Sequence, residues 1–529
     1  MRKIFYLSLL VVTVAIASCS KDKKITPTDN GGNNNGNNPT VTASALDLIK
    51  DSVFLYAQQV YYWNTSLPTY DAFKPRSFTG SNDIDALQTE IDAMTQYSTN
   101  PETGKPYEYY TPAPGYAKYS FIDDGSVSGE LNGIKGDFGF APVWIDANTD
   151  IRVKYVYPGS PADVKGLKRG YQITAINGRT GSGLKYDGGA GGSGTNVNFL
   201  INAYSNSSTI NLTLKKPDGN TFDVTLSTGT YTVNPVLTSK IVDAGNNKKV
   251  GYIVFNSFTS KANAKPYLDA AFNSFSAGGI TDLVVDLRYN GGGFVETAQY
   301  LSNLIAPAST NGSTMFTYNF TKTMADGKAT ILKNQLRKDG NQIYSYFDFD
   351  YTIAGNTVKF SKTDVPVTLN LNHVFFIVTG STASASELTI NNLIPVMDVQ
   401  LIGTTTYGKP VGFFDIDINK YQMYIPQFET KNSAGNGGYY AGMTPEKGLY
   451  RGKLYGDDAS KDFGDPTESL FSYALNYVKN GNFSLPQQQI QSLSRLQKLS
   501  VDQSREVGLQ VEGKKYFRGM IYNNTKAKK

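Results

Sequence analysis

The sequence predicts a multidomain α+β protein in which a small helical region, a β domain and a layered α/β domain follow one another. Three observations predict this order. Apolar residues recur at helical spacing over residues 46–63, short strands separated by turn residues follow from about residue 125, and strands alternate with helices from about residue 233. A chain of 529 residues, 40% of them apolar, is long enough to bury more than one core.

The first 19 residues have the pattern of a secretory signal. Arg2 and Lys3 precede the apolar run IFYLSLLVVTVAI, which is too short to cross a bilayer as a permanent helix. The run ends in small residues directly before Cys19, the only cysteine of the chain, and this ending resembles the lipobox of bacterial lipoproteins. We therefore expect Cys19 to carry a lipid that anchors the protein to a bilayer of the cell envelope, the outer membrane of a Gram-negative bacterium. The alternative is a buried free thiol.

Two polar segments flank the predicted folded body. Residues 20–43 are low in complexity and lack an apolar period, which indicates a disordered tether. Residues 482–529 form a basic tail with nine Lys and Arg residues against three acids, while the formal net charge of the whole chain is only +5. The folded body is therefore close to neutral, and nucleic-acid binding is not predicted.

The helical region covers residues 44–124. The stretch SALDLIKDSVFLYAQQVYYWN has apolar residues at helical spacing from Leu46 to Trp63, and DIDALQTEIDAMTQY predicts a second helix over residues 83–97. Ser81, Asn82 and Asp83 are all suitable caps for the second helix. Neither helix carries residues that indicate chemistry.

Short strands predict a β domain over residues 125–232. Its segments GDFGF (136–140), PGSPA (158–162) and GLKRGYQITAING (166–178) resemble a bacterial PDZ domain, with Tyr171 where an aspartate is common. A PDZ domain adds an extended peptide to an open sheet edge, and the resemblance implies that the N–H groups near Phe138, Gly139 and Phe140 hold its terminal carboxylate. The alternative is a β domain that binds nothing. The glycine-rich stretch 188–194 is interpreted as a flexible insertion.

Residues 233–481 predict the α/β domain, and their polar and glycine-rich segments stand where strands end. Active sites of α/β proteins lie at such strand ends, although we interpret Asp286 and Arg288 as structural. His373, the only histidine, begins an apolar strand and is expected to be structural as well. With one histidine and one cysteine, no metal site and no cofactor are predicted. A lysine remains as the candidate base for a nucleophilic serine in STASASELTI.

Three segments of this domain resemble the signatures of the C-terminal processing peptidases, the S41 family of serine proteases. These segments are DLRYNGGG (286–293), TASASE (382–387) and GTTTYGKP (403–410), and GYYAGMTPE (438–446) is similar to a fourth, with Glu446 in place of an aspartate. The resemblance implies a crotonase-like α/β catalytic domain that cleaves polypeptides presented by their C-terminal region. It also implies that Ser384 is the nucleophile and Lys409 the general base.

Elementary chemistry is consistent with these roles. Ser384 is placed at the first turn of a helix, where free N–H groups favour negative charge, so the N–H of Ala385 with one from Gly292 or Gly293 can form an oxyanion hole. Lys409 must be neutral to accept a proton, so its pKa, ordinarily about 10.4, must fall toward neutrality. The apolar residues that follow Lys409 are expected to desolvate its amine.

Several alternatives remain open at this point. Ser384 and Glu387 also fit a capping box, a purely structural helix start. Many family members have a glutamine four residues after the lysine, and this chain has Phe413 there. A catalytically inactive, peptide-binding or scaffold lipoprotein is therefore the rival interpretation, and a crotonase-type enzyme that acts on a thioester is a third.

Overall fold

The computed structural model describes residues 43–145, 149–188, 194–339, 341–485 and 519–522. Ser44–Lys529 forms one unit by its internal contacts, and the following description concerns this unit. The predicted signal with Cys19, the predicted tether before Ala43 and most of the basic tail lie outside the described residues. Among the described helices, none is long and apolar enough to cross a membrane.

The helical region begins with helix Ala45–Val60, which a capping box starts: the Asp47 N–H donates to Ser44 Oγ, and the Ser44 N–H donates to Asp47 Oδ2. The helix ends three residues before Trp63, because Tyr61 is extended and its hydroxyl donates to Glu108 Oε1 at 2.8 Å. Of the three candidate caps of the second helix, Asn82 accepts the N–H of Asp85. The remaining helices of this region are Asn64–Ser66, Tyr70–Phe73, Pro75–Ser77 and Asp83–Thr95.

The β domain is built on an antiparallel sheet with its own apolar core. The sheet order is Phe140–Trp144, Ile151–Val156, Gln172–Ile176, Thr209–Lys215 and Thr221–Ser227, and Arg179–Thr180 pairs with the third strand. Alternate residues of Thr209–Lys215 are buried, as the period of two predicts. Helices Ser126–Leu131, Pro161–Val164, Gly181–Leu184 and Thr195–Ser205 and the strand pair Ile134–Asp137 with Gly229–Thr232 complete this part.

A six-stranded sheet forms the centre of the α/β domain. Its order is Val236–Gly245, Lys248–Phe255, Asp282–Asp286, His373–Val378, Val399–Gly403 and Gly452–Leu454, and all neighbours after the first pair are parallel. Helices Lys261–Gly278, Val295–Ile305 and Ala385–Leu393 pack on one face, and Ser469–Asn480 packs on the other. Both faces are therefore buried, which explains the continuous apolar runs of the central strands.

Smaller elements surround the carboxyl edge of this sheet. A four-stranded sheet has the order Thr357–Lys359, Thr314–Phe320, Phe428–Asn432 and Val411–Gly412, and a three-stranded one has the order Phe121–Asp123, Tyr421–Tyr424 and Ile416–Ile418. Leu336–Asp339 and Gln342–Ser345 form a hairpin, with short helices at Ala308–Thr310, Lys322–Ala325, Thr330–Asn334 and Tyr346–Asp348. Gly292–Phe294 pairs in parallel with Gly519–Ile521.

Candidate active site at the carboxyl edge of the sheet

Parallel pairing brings the three sequence signatures together. In the sheet register, Asp286 lies opposite Ile377, and Val378 lies opposite Gly403. The segments that follow these strand ends therefore leave the sheet at the same edge. The Ala383 N–H donates to the Asn290 carbonyl at 3.0 Å, which ties the serine loop to the glycine-rich segment.

Ser384 stands in an unusual backbone conformation directly before helix Ala385–Leu393. Its φ of 60° and ψ of −106° lie in a region that residues with a Cβ rarely adopt, which costs about 1–3 kcal/mol and persists only where the surroundings enforce it. The Ser384 Oγ is buried and has no hydrogen-bond partner among the described residues. A strained serine with an uncommitted hydroxyl at a helix start is an arrangement suited to a nucleophile.

The Glu387 carboxylate joins the serine loop to the lysine loop. Its Oε2 accepts the N–H of Ser384 at 2.8 Å and that of Lys409 at 2.9 Å. Its Oε1 accepts the Gly408 N–H at 2.8 Å and the Thr406 hydroxyl. Burial raises the pKa of Glu387 above its usual value, and the four hydrogen bonds act in the opposite direction. Glu387 thus does more than cap one helix, because it fixes the distance between two loops.

Lys409 is fully buried beside this carboxylate. Its Nζ donates to the Tyr119 carbonyl at 3.4 Å and lies 4.0 Å from the centre of the Phe413 ring. The glutamine expected from the family is thus replaced here by an aromatic face and by a carbonyl from the helical region. Glu108 holds that carbonyl in place, since its Oε2 accepts the N–H groups of Tyr119 and Ser120, both at 2.9 Å.

No direct hydrogen bond joins Ser384 Oγ to Lys409 Nζ in the described part of the chain. The two backbone nitrogens nevertheless lie within 3 Å of the same oxygen atom, Glu387 Oε2. A lysine side chain has four rotatable methylene groups, so a change of its rotamer is enough to alter the reach of the amine. The structure brings the predicted pair to one place but does not show their pairing.

The predicted oxyanion glycines lie against the start of the serine helix. A Cβ on Gly292 would stand 3.0 Å from the Ala385 nitrogen, and a Cβ on Gly293 would stand 2.0 Å from the Phe258 carbonyl oxygen, so both positions require glycine. The Gly292 N–H already donates to Asn290 Oδ1 at 2.9 Å. The Gly293 N–H is engaged as well, because the parallel pairing of Gly292 with Gly519 directs it at the Gly519 carbonyl.

Asp286 and Arg288 belong to a buried ion network, in keeping with the structural role expected of them. Arg288 contacts the carboxylates of Asp286, Glu468 and Asp457, at 2.7, 2.8 and 2.7 Å. Burial works to raise the pKa of Asp457, but Arg288 and Arg169 outweigh it and lower that pKa to about 2. Arg169 comes from the β domain, so this network also connects the two domains.

Two further residues singled out in the sequence are His373 and Glu446. His373 is at the opposite end of its strand, with Nδ1 2.6 Å from Asp282 Oδ1. Glu446 is half-exposed and pairs with Lys453.

In the β domain, Phe140–Trp144 is an outer strand of the sheet, Phe138 is buried beneath it, and the Tyr204 hydroxyl donates to the Phe140 carbonyl. The Gly139 N–H, however, donates to Asp137 Oδ1 at 2.8 Å. An incoming carboxylate would have to displace that contact.

Two features of the site were not predicted from the sequence. Tyr119 is 290 residues from Lys409 in the chain and carries no motif. The short apolar run Gly519–Tyr522 lies within the stretch interpreted as a basic tail, yet it pairs with Gly292–Phe294 and with Phe413. The only signal in the sequence was an apolar run of three residues between polar neighbours, which is too short to interpret.

Comparison with known proteins first defines the class of fold. A crystal structure of a Bacteroides fragilis protein assigned as an S41 protease superposes with a TM-score of 0.53, over 82% of this chain and 97% of that one, at 23% identity. The described chain thus has an S41 protease-like mixed α/β fold, as the sequence predicted in outline.

Sequence comparison then identifies the family. The profile of peptidase family S41 matches residues 249–437, which include all three signatures, so the chain contains an S41 peptidase domain. It is 27% identical over 288 residues to the carboxyl-terminal-processing protease of a Picosynechococcus species, over 54% of this chain and 56% of the relative. It is 26% identical over 253 residues to carboxy-terminal processing protease CtpA of Bacillus subtilis, over 47% and 42%. The chain thus spans about half the length of these relatives.

Proposed function

We propose that the protein is a serine-type endopeptidase that hydrolyses peptide bonds in polypeptides presented by their C-terminal region. Ser384 is the nucleophile and Lys409 the general base of a Ser-Lys dyad. The observation that carries the proposal is the Glu387 carboxylate, which binds the backbone of both residues through one oxygen. The S41 peptidase domain and the likeness to processing proteases agree with it.

The proposed reaction begins with transfer of the Ser384 hydroxyl proton to the neutral Lys409 amine. The serine oxygen attacks the scissile carbonyl, and the resulting oxyanion is stabilised by the N–H groups of Ala385 and Gly293. Lys409 then gives its proton to the leaving amine, which departs and leaves an acyl-enzyme. In the second half, Lys409 takes a proton from water, the hydroxide attacks the ester, and the proton returns to Ser384.

Two opposing influences act on the Lys409 amine. Full burial disfavours its charged form, whereas the Phe413 ring and the Tyr119 carbonyl favour it. Only the neutral amine can act as a base, so the rate of acylation is expected to rise with pH. The position of that rise reports which influence prevails.

Hydrolysis of an unfolded polypeptide tests the proposal. Ser384→Ala and Lys409→Ala should each abolish cleavage while the far-UV circular dichroism stays unchanged. Ser386→Ala is the matched control, because it removes another buried hydroxyl from the same helix, one that only donates to the Asn290 carbonyl. Cleavage retained by either of the first two variants, or lost equally in the control, would count against the assignment.

The rival function is a catalytically inactive, peptide-binding or scaffold lipoprotein. Phe413 at the place of the family's glutamine, and the lack of a hydrogen bond between Ser384 Oγ and Lys409 Nζ among the described residues, favour this interpretation. An inactive protein would bind peptides but leave Ser384 unlabelled by a fluorophosphonate under all conditions. Labelling of Ser384 would exclude it.

We further propose that the β domain is a PDZ-like module beside a crotonase-like catalytic domain and that Cys19 anchors the chain to a bilayer of the cell envelope. The outer strand Phe140–Trp144 supports the first point, and the lipobox-like Ile16–Cys19 supports the second. Metabolic labelling with a fatty acid should mark the wild type and leave Cys19→Ser unmarked. Equal labelling of both would remove the anchor from the proposal.

A further inference from the structure

The segment Gly519–Tyr522 lies as an extended strand between two parts of the candidate active site. On one side Gly519–Ile521 pairs in parallel with Gly292–Phe294, and the Gly519 N–H donates to the Gly291 carbonyl at 3.1 Å. On the other side the Phe413 N–H donates to the Met520 carbonyl, and the Tyr522 N–H donates to the Phe413 carbonyl, both at 2.9 Å. The segment is therefore bonded through its backbone along both edges, as a peptide added to a sheet would be.

The strand Gly519–Tyr522 has two neighbours, Gly292–Phe294 and Phe413, and both lie next to residues of the proposed reaction. A Cβ on Gly292 would stand 2.4 Å from the Gly519 carbonyl oxygen and 3.0 Å from the Ala385 nitrogen. A main-chain carbonyl of the segment thus lies close to a predicted oxyanion donor. The Phe413 that binds the other edge is the residue whose ring faces the Lys409 amine.

Each side chain of the segment fills an apolar or aromatic site. Met520 is fully buried, and Ile521 packs with Phe294 and Phe413. The Tyr522 ring meets Tyr318 edge to face, and its hydroxyl donates to Asn356 Oδ1 at 3.0 Å. These contacts define three adjacent subsites for an apolar, partly aromatic peptide.

The same region is closed to solvent in this structure. Ser384, Ala385 and Lys409 are all fully buried, so a polypeptide cannot reach the serine unless something moves. A pocket of about 10 Å³, room for about one water molecule, lies directly beside Gly291 and Gly292 and is lined also by Tyr157 and Asn256. The position against the glycines is thus taken by the strand, and a polypeptide can enter only if the strand leaves.

We propose that the groove between Gly292–Phe294 and Phe413 is the site where a polypeptide substrate adds as a strand, and that the chain's own Gly519–Tyr522 segment occupies it as an internal competitor. The inference rests on the proposed peptidase function. It adds the mode of substrate binding, a preference for apolar and aromatic residues in three subsites, and an autoinhibited resting state. Activation requires displacement of the segment by a substrate of higher affinity or at high concentration.

The expected size of the inhibition follows from effective concentration. A tethered segment competes at about millimolar effective concentration, so a segment that binds with a Kd of about 0.1 mM lowers the rate about tenfold. The same segment supplied as a separate peptide should inhibit only in the range of its Kd.

A matched pair of variants in the full-length chain tests this. Ile521→Asp places a charge in the buried subsite and should expel the segment, whereas Ile343→Asp makes the same change at a position that is 70% exposed. We expect Ile521→Asp to raise both polypeptide hydrolysis and fluorophosphonate labelling about tenfold and Ile343→Asp to leave both unchanged. The acetylated peptide FRGMIYN, residues 517–523, should then inhibit Ile521→Asp competitively, and the peptide FRGMDYN should not.

The opposite results would overturn the inference. If the segment is a permanent structural strand, Ile521→Asp lowers activity, and the FRGMIYN peptide restores it instead of inhibiting. If Ile521→Asp does not fold, a specific protease site inserted between residues 486 and 518 allows the chain to be cut there after folding. Cutting followed by dilution must then raise activity, and an unchanged or lower rate refutes the proposal.

Peptide binding separates this inference from the proposed function. Fluorescence anisotropy of labelled FRGMIYN on the Ile521→Asp/Ser384→Ala double variant requires no catalysis. If this variant binds the FRGMIYN peptide but Ser384 is not labelled in any variant that keeps this serine, the peptide groove is supported and the peptidase function is rejected. If Ile521→Asp hydrolyses polypeptides but the FRGMIYN peptide neither binds nor inhibits, the peptidase function is supported and the peptide groove is rejected.

Discussion

Replacement of Glu387 by glutamine tests the connection on which the site depends. The carboxylate offers two oxygens that together accept three N–H groups and one hydroxyl, whereas a carboxamide offers one oxygen. In its less costly orientation the amide keeps the N–H groups of Ser384 and Lys409 and turns its NH₂ toward Thr406 and Gly408. The Thr406 hydroxyl can rotate to accept, but the Gly408 N–H cannot.

The magnitude follows from that orphaned donor. One buried N–H without an acceptor costs about 1–3 kcal/mol, and the change from charged to neutral acceptor weakens the remaining bonds by about 1 kcal/mol. We therefore expect Glu387→Gln to lower the free energy of unfolding by about 2–4 kcal/mol. Because the lysine loop is then less firmly held, labelling of Ser384 should slow in the variant even under conditions where it is fully folded.

Urea denaturation followed by circular dichroism measures the first effect, and the rate of fluorophosphonate labelling measures the second. Glu446→Gln is the control, since Glu446 is half-exposed and its pair with Lys453 contributes at most about 1 kcal/mol. A change in unfolding free energy below about 0.5 kcal/mol, with labelling as fast as in the wild type, would refute the role given to Glu387.

Two further predictions concern buried charges. Burial raises the pKa of Glu90 to about 9, and both its carboxyl oxygens lack partners among the described residues, so the folded protein binds a proton there that the unfolded chain releases above about pH 4.5. The free energy of unfolding should therefore fall as pH rises toward 9, by up to about 1.4 kcal/mol per pH unit. Urea denaturation measured from pH 5 to 9 should show this slope in the wild type and not in Glu90→Gln. An identical slope in the variant would assign the pH dependence to other groups. Arg288→Met leaves buried carboxylates unpaired and should lower the free energy of unfolding by about 3–5 kcal/mol. A loss below about 1 kcal/mol would mean that the ion network is not desolvated as described.

The sequence was most informative where a motif coincides with a strand end. The runs before Asp286, Ser384 and Lys409 are apolar and strand-like, and parallel strands must deliver their exits to one edge, so the gathering of the three signatures could be predicted. The positive φ of Ser384 could not be predicted from the motif, because the hydrogen bonds of its loop to the segment before Gly291 enforce it.

The features that were not predicted are contacts between residues far apart in the chain. Glu387 was expected as a cap of one helix, and its bonds to the lysine loop depend on where that loop folds back. Tyr119 contributes a backbone carbonyl, a group that every residue has, so no side-chain pattern marks it. The first helix ended at Val60 because Tyr61 turns to Glu108, a tertiary contact that overrides the helical period.

The most direct test of the central claim is the position of a fluorophosphonate adduct, mapped by mass spectrometry in the wild type and in Ile521→Asp. We predict one adduct, on Ser384, formed faster in Ile521→Asp, absent in Ser384→Ala and formed at most at a trace rate in Lys409→Ala. An adduct on another serine, or undiminished labelling without Lys409, would contradict the account.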